Sequence, residues 1–210
     1  MLTTTDVDVD QQGFEFRPSW WATRIDQAAW TDWLARLPEA GDGRHRICRA
    51  DLFAMPTEEP DDLVRLLIGC YVWGTGPQPR LVGRYTQVLR HNDHTDLRGR
   101  LAAAHHLLVT DGPVEAYRSL RGGPNRLRYL GPSFFTKLLY FADPARRALI
   151  LDRFVAAELR AGEGWDFHRV AWTSDEYSRY LAYAHEAAVA QSVRPDAIEV
   201  ALFTAGKARL

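Results

Sequence analysis

The chain has 210 residues, 46% of them hydrophobic and 25% charged, enough to bury one sizeable core or two small lobes sharing a cleft. Its 26 basic and 27 acidic residues leave a formal net charge of -1. That excludes a polyanion binder working by bulk charge, so any nucleic-acid contact must come from a local basic face.

The segment 1–10 is polar and acidic, with no basic region followed by an apolar run, so no secretory signal is read there. No apolar stretch approaches a membrane span of about 20 residues, and a cytoplasmic protein is expected. Two cysteines, Cys48 and Cys70, are too few for a four-thiolate zinc or iron–sulfur site and are read as buried free thiols. Residues 1–13 are read as a flexible tail and 14–210 as a single helical domain. An aromatic segment at 14–21 ends in the pair Trp20 and Trp21. Asp26 is placed to cap a helix reaching about Leu37, with Trp30, Trp33, Leu34 and Leu37 on one face. Residues 44–59 read as irregular, with a short extended piece at 47–53.

Asp61 and Asp62 open a helix over 63–73, apolar nearly all round and so central and buried. It stops at Gly74-Thr75-Gly76-Pro77. Helices follow at about 79–91, 96–109 and 112–121, then a turn at 122–125. Two more close the chain at about 174–192 and 195–206. With no repeat, no heptad run and no convincing strand set, the class is all-α.

The sharpest features lie between. Gly131 is read as a position where a side chain would oppose the backbone conformation. Pro132 suits the first turn of a helix. Phe134, Phe135, Leu138, Leu139, Phe141 and Ala142 then give that helix a broad apolar face. Its unpaired N–H groups can hold a phosphate. A loop at 143–147 leads to the apolar run Ala148-Leu149-Ile150-Leu151, and Asp152 begins the next helix, 153–160. Spacing alone leaves Asp152 either a helix cap or a carboxylate held rigidly at a cleft.

This arrangement resembles the helix-hairpin-helix DNA glycosylases of the endonuclease III and 8-oxoguanine glycosylase superfamily. Leu127, Leu130 and Gly131 match the hairpin, Asp152 the aspartate that ends the apolar run, and Val155 the apolar residue after it. The resemblance implies two helical lobes around a DNA-binding cleft, with the helix-hairpin-helix at about 113–142 and the catalytic aspartate loop and helix at 143–160. It implies Asp152 as the catalytic residue that stabilises the sugar cation and orients water. It also implies that a flipped base enters a pocket.

The position of the first hairpin glycine holds Tyr129. Where bifunctional members carry a Schiff-base lysine, Ser133 stands, and Lys137 follows one turn later, about 6 Å away. A monofunctional enzyme using water is therefore expected, with a lyase acting through Lys137 as the alternative.

The hairpin residues Arg128, Tyr129, Leu130, Gly131, Pro132 and Ser133, together with Arg153, are implied DNA contacts. Trp73, Gly74, Thr75 and Gly76 match the family loop that enters the minor groove. Trp20 and Trp21 are candidates for the base pocket. Arg126, Arg128, Arg146, Arg147 and Arg153 are read as one basic cluster. No cofactor is required, although the resemblance places a monovalent cation at the backbone of Asn125, Leu127 and Leu130. Double-stranded DNA is the implied partner of a monomer. The whole chain looks like a bacterial branch, similar to 8-oxoguanine glycosylase, whose members include antiviral enzymes removing glucosylated hydroxymethylcytosine from phage DNA. A non-catalytic DNA-binding module is the alternative of another class.

Other signals are read as structural. His91-Asn92-Asp93-His94 with Asp96 makes a polar loop, and His105-His106 points to different helix faces. Thr75-Gly76 is no phosphate loop, Ser133 has no nucleophile-elbow context, and the segment 198–207 is a packing helix.

Overall fold

The computed structural model describes residues 6–210. It is mostly helical, as expected: α1 (Asp6–Gln11), α2 (Pro18–Ala22), α3 (Arg49–Phe53), α4 (Pro60–Thr75), α5 (Pro79–Tyr85), α6 (Gln87–His91), α7 (His94–Thr110), α8 (Pro113–Arg121), α9 (Pro132–Ala142), α10 (Arg153–Ala161), α11 (Ser174–Gln191) and α12 (Pro195–Arg209). Proline stands in the first turn of α2, α4, α5, α8, α9 and α12, where its missing N–H has no helical partner to lose.

Helix α4 is the axis of the fold. Leu63, Val64, Leu66, Leu67, Ile68, Cys70, Tyr71 and Val72 are all buried, and the helix packs against α7 and α9. Its all-round hydrophobicity has the predicted consequence. On the C-terminal side, α12 packs on α10 and α11. One continuous apolar cluster runs from Phe16 to Leu202 and joins the two groups. Among the described residues no helix is long and apolar enough to cross a membrane, and Cys48 and Cys70 are free and buried.

Four readings are corrected. The predicted tail is structured from Asp6 onward: Val9 is fully buried and Asp10 accepts a 2.7 Å hydrogen bond from Arg194. Residues 1–5 of that tail lie outside the described residues. A small antiparallel sheet, order β1-β3-β2, joins Gly13–Phe16 (β1), Glu39–Gly41 (β2) and Arg44–Cys48 (β3). These strands are too short to display the alternation that marks a strand. The helix expected from Asp26 to Leu37 is two 3-10 turns, Ala28–Trp30 and Asp32–Arg36, although Trp30 and Leu34 are buried as its apolar face required. The helix expected over 79–91 breaks at Thr86 into α5 and α6.

Candidate active site and nucleic-acid interface

The segment between α8 and α9 is anchored by Leu127 and Leu130, both buried, while Arg126, Arg128 and Tyr129 stay exposed. Gly131 is extended, with φ -94°, and a Cβ there would meet nothing within 4 Å. The left-handed residue is Tyr129 instead, φ +64°. The strain assigned to Gly131 thus falls two positions earlier, on a residue with a side chain.

Two groups hold the hairpin from outside. The Asn92 side chain accepts the Arg128 N–H at 3.0 Å and donates to the Arg128 carbonyl at 3.0 Å. It donates also to the Val88 carbonyl at 2.7 Å. Arg100 donates to the Arg126 carbonyl at 2.8 Å. The segment read as a polar loop is therefore a clamp on the hairpin. Replacing Asn92 by Ala is expected to speed hydrogen exchange of the Arg128 amide by at least about tenfold, the equivalent of one lost hydrogen bond. Mass spectrometry or NMR of the two proteins reads this.

The run before Asp152 is extended yet belongs to no sheet, so side chains must satisfy its buried backbone. Tyr177 donates to the Leu149 carbonyl and accepts its N–H, at 3.0 and 3.3 Å. Tyr180 donates to the Ile150 carbonyl at 3.0 Å. The Thr136 hydroxyl accepts the Leu151 N–H at 3.1 Å and lies 2.8 Å from the Pro132 carbonyl. Upstream, the buried Asp143 carboxylate accepts the N–H groups of Ala145, Arg147 and Ala148 at 3.1, 2.7 and 2.9 Å. The run 149–151 is thus tied to α9 and α11, and the turn before it to the Asp143 carboxylate.

At the end of this run Asp152 caps α10. Its Oδ1 accepts the N–H groups of Phe154 and Val155 at 2.9 and 3.1 Å. Its Oδ2 lies 3.8 Å from Lys137 Nζ. The two readings of Asp152 are compatible, because one oxygen caps and the other faces a cation. Lys137 is 5% exposed and donates to the Ser133 carbonyl at 2.8 Å. Burial holds its amine below the ordinary lysine range, and the Asp152 carboxylate opposes that. The displacement of one turn therefore does not take Lys137 out of the site, because α9 directs this residue, not Ser133, at Asp152.

The Trp-Gly-Thr-Gly segment is divided. Trp73 is core: its ring meets Phe14 and Phe141 edge-on at 5.7 Å and its Nε1 donates to the Gln12 carbonyl. Thr75 is buried too. Neither is placed to enter a groove, because α4 continues through both. Gly74 is exposed, and a Cβ there would lie 2.9 Å from Phe134 and 3.1 Å from Lys137. Its glycine lets α4 approach the lysine closely. Gly76, with φ +56°, ends the helix. Trp21 is likewise core, and Trp20 is half-buried against it.

The basic cluster also splits. Arg128 and Arg153 are exposed, with Arg126. Arg147 bonds Asp143 and the Leu108 carbonyl, and Arg146 packs 4.0 Å over Phe53. Those two brace the loop before Asp152.

Sequence reasoning missed Asn92, an aromatic group of Tyr71, Tyr85 and Phe134, and a buried charge pair. The last is Arg49 with Glu199, 2.6 Å apart and each 1% exposed, where Arg49 lies 5.0 Å from the rings of both Trp73 and Tyr140. Burial pushes Glu199 up to about 7, with Arg49 opposing. The partners are 150 residues apart, so no local pattern announces them. A concavity of about 400 Å³ lined by Trp30, Arg90, Asn92 and His94 shares no residue with the Lys137–Asp152 pair.

Comparison with curated proteins and with solved structures returns no match. A helical chain whose hairpin is clamped beside a rigidly held aspartate is matched by one family model over residues 7–203, and the chain belongs to that family, described as "Putative 8-oxoguanine DNA glycosylase OGG-like protein".

Proposed function

We propose that this glycosylase extrudes a modified base from double-stranded DNA and hydrolyses its N-glycosidic bond, leaving an abasic site. The observation that carries the reading is the divided role of Asp152: one oxygen fixed by the helix start, the other 3.8 Å from a buried lysine. As the bond to the base breaks, positive charge develops on the sugar, as in glycoside hydrolysis. The carboxylate stabilises that charge and takes a proton from the attacking water, whose oxygen bonds C1′. The base leaves with the bonding electron pair and is protonated. Arg128, Tyr129, Leu130, Gly131, Pro132, Ser133 and Arg153 carry the strand contact. In this reading a monovalent cation sits at the carbonyls of Asn125, Leu127 and Leu130. Leu127 already accepts the Leu130 N–H at 3.4 Å, and a carbonyl keeps a second lone pair for an ion.

For the base itself the family description supports 8-oxoguanine, and the likeness to antiviral enzymes supports glucosylated hydroxymethylcytosine, which we favour, with phage defence as its use by a monomeric cytoplasmic protein. Incubation with duplexes carrying each base, followed by alkaline cleavage at abasic sites, decides between them. Strand cleavage from neither duplex would overturn both.

A second reading, repair of 8-oxoguanine with lyase action, is favoured by one observation. Lys137 is buried beside Asp152, and its lowered amine is that of a nucleophile. Borohydride trapping separates the two. Hydrolysis gives no covalent protein–DNA adduct, whereas an adduct that disappears in Lys137→Ala establishes the lysine as nucleophile.

A further inference from the structure

The buried tyrosines have hydroxyl partners with one exception among the described residues. Tyr117 donates to the Trp172 carbonyl, Tyr140 to Asp196, Tyr177 to the Leu149 carbonyl and Tyr180 to the Ile150 carbonyl. The Tyr71 hydroxyl is buried with no hydrogen-bond partner, and so is the Thr75 hydroxyl one turn later on α4. Unpaired buried hydroxyls weaken a fold, and two of them one turn apart mark a place where something else supplies the partner.

Their position says what that is. Tyr71, Gly74 and Thr75 are spaced i, i+3 and i+4, so they share one face of α4. At Gly74 that face touches Phe134 and Lys137 of α9. The Tyr71 ring lies 4.5 Å from Phe134 and is stacked on Tyr85 at 5.3 Å. Phe134 in turn lies 5.2 Å below Lys137 Nζ, which is 3.8 Å from Asp152. A sugar whose C1′ sits at Asp152 would thus direct its base over Phe134 toward the two hydroxyls. Tyr85 and Phe134 are half-buried, and Gly74 is exposed, so solvent reaches the aromatic group from this side.

We propose that Tyr71 and Thr75 form the hydrogen-bonding wall of the pocket for the extruded nucleobase, with Phe134 and Tyr85 as its stacking surface. Tyr85 moves off the Tyr71 ring as the base enters. A flat π face suits the aromatic pair, and each hydroxyl both donates and accepts, which fits the carbonyl and amino groups on a base edge. The inference rests on the glycosylase reading and names its specificity wall. A site that hydrogen-bonds its substrate rejects analogues that cannot pair with it.

The test uses Tyr71→Phe and Thr75→Val, each of which removes only an unpaired hydroxyl. Melting temperatures are expected to match or exceed that of the unaltered protein. The kcat/KM for base release, measured on whichever of the two modified duplexes is cut, is expected to fall at least about tenfold for Tyr71→Phe, one hydrogen bond's worth. Binding of a duplex carrying a tetrahydrofuran abasic analogue, which has no base to read, is expected to stay within about twofold. Unchanged kcat/KM in both variants overturns the proposal alone, as does an equal loss of abasic-duplex binding. If the unaltered protein releases neither base, the glycosylase reading fails and this inference falls with it.

Discussion

Asp152→Asn is expected to leave the protein folded and to slow base release by about 10²–10⁴-fold. Asparagine caps helices as well as aspartate does, so its amide oxygen still accepts the Phe154 and Val155 N–H groups that Oδ1 now holds. What disappears is the negative charge facing Lys137. Asp152→Ala removes cap and charge together, and its extra cost is about 1 kcal/mol of stability. Single-turnover kinetics and thermal melts on the two variants therefore separate the structural oxygen from the chemical one. Base release at the unaltered rate by Asp152→Asn would overturn the mechanism that runs through this carboxylate.

The second large effect is expected far from the hairpin. Arg49→Ala should cost about 3–5 kcal/mol, because it strands Glu199 without its counter-charge, and should lower Tm by about 6–20 °C. It also removes the guanidinium from between Trp73 and Tyr140 and breaks a 2.8 Å bond to Gln12. Glu199, pushed up to about 7, keeps in the folded state a proton that an unfolded glutamate releases near about 4.3. Its contribution to stability is present below that lower value and is lost as pH rises through about 7. Without Arg49 the loss extends further upward, so the Tm deficit of the variant is expected to be larger at about pH 8 than at about pH 5. An equal deficit at both would show that Glu199 does not titrate in this range.

Most of the helices, the turn before Pro132 and the helix start at Asp152 are legible because each is written locally. Pro132 marks a helix start, α4 carries its apolar residues in one run, and four apolar residues lead to Asp152. What was not legible depends on where side chains go. Lys137 reads as one turn out of place until α9 is seen to turn it toward Asp152. Thr75 reads as a loop residue because Gly74 and Gly76 look like a stop, yet α4 runs on through Gly74 and buries Thr75. Asn92 reads as one more polar loop residue, and only the fold brings it to Arg128, 36 positions on. Tyr129 shows the reverse limit: the glycine missing from the hairpin was visible, but its left-handed backbone had been assigned to Gly131.

Gly206 carries a mechanical consequence. A Cβ at that position would lie 1.9 Å from the Phe154 carbonyl oxygen, so α12 rests with its backbone directly on α10. Phe154 is one of the two residues whose N–H groups Asp152 holds, and α12 also bears Glu199. The aspartate and the buried glutamate therefore travel as one body. Any hinge that closes this enzyme on DNA must lie outside the pair formed by α10 and α12.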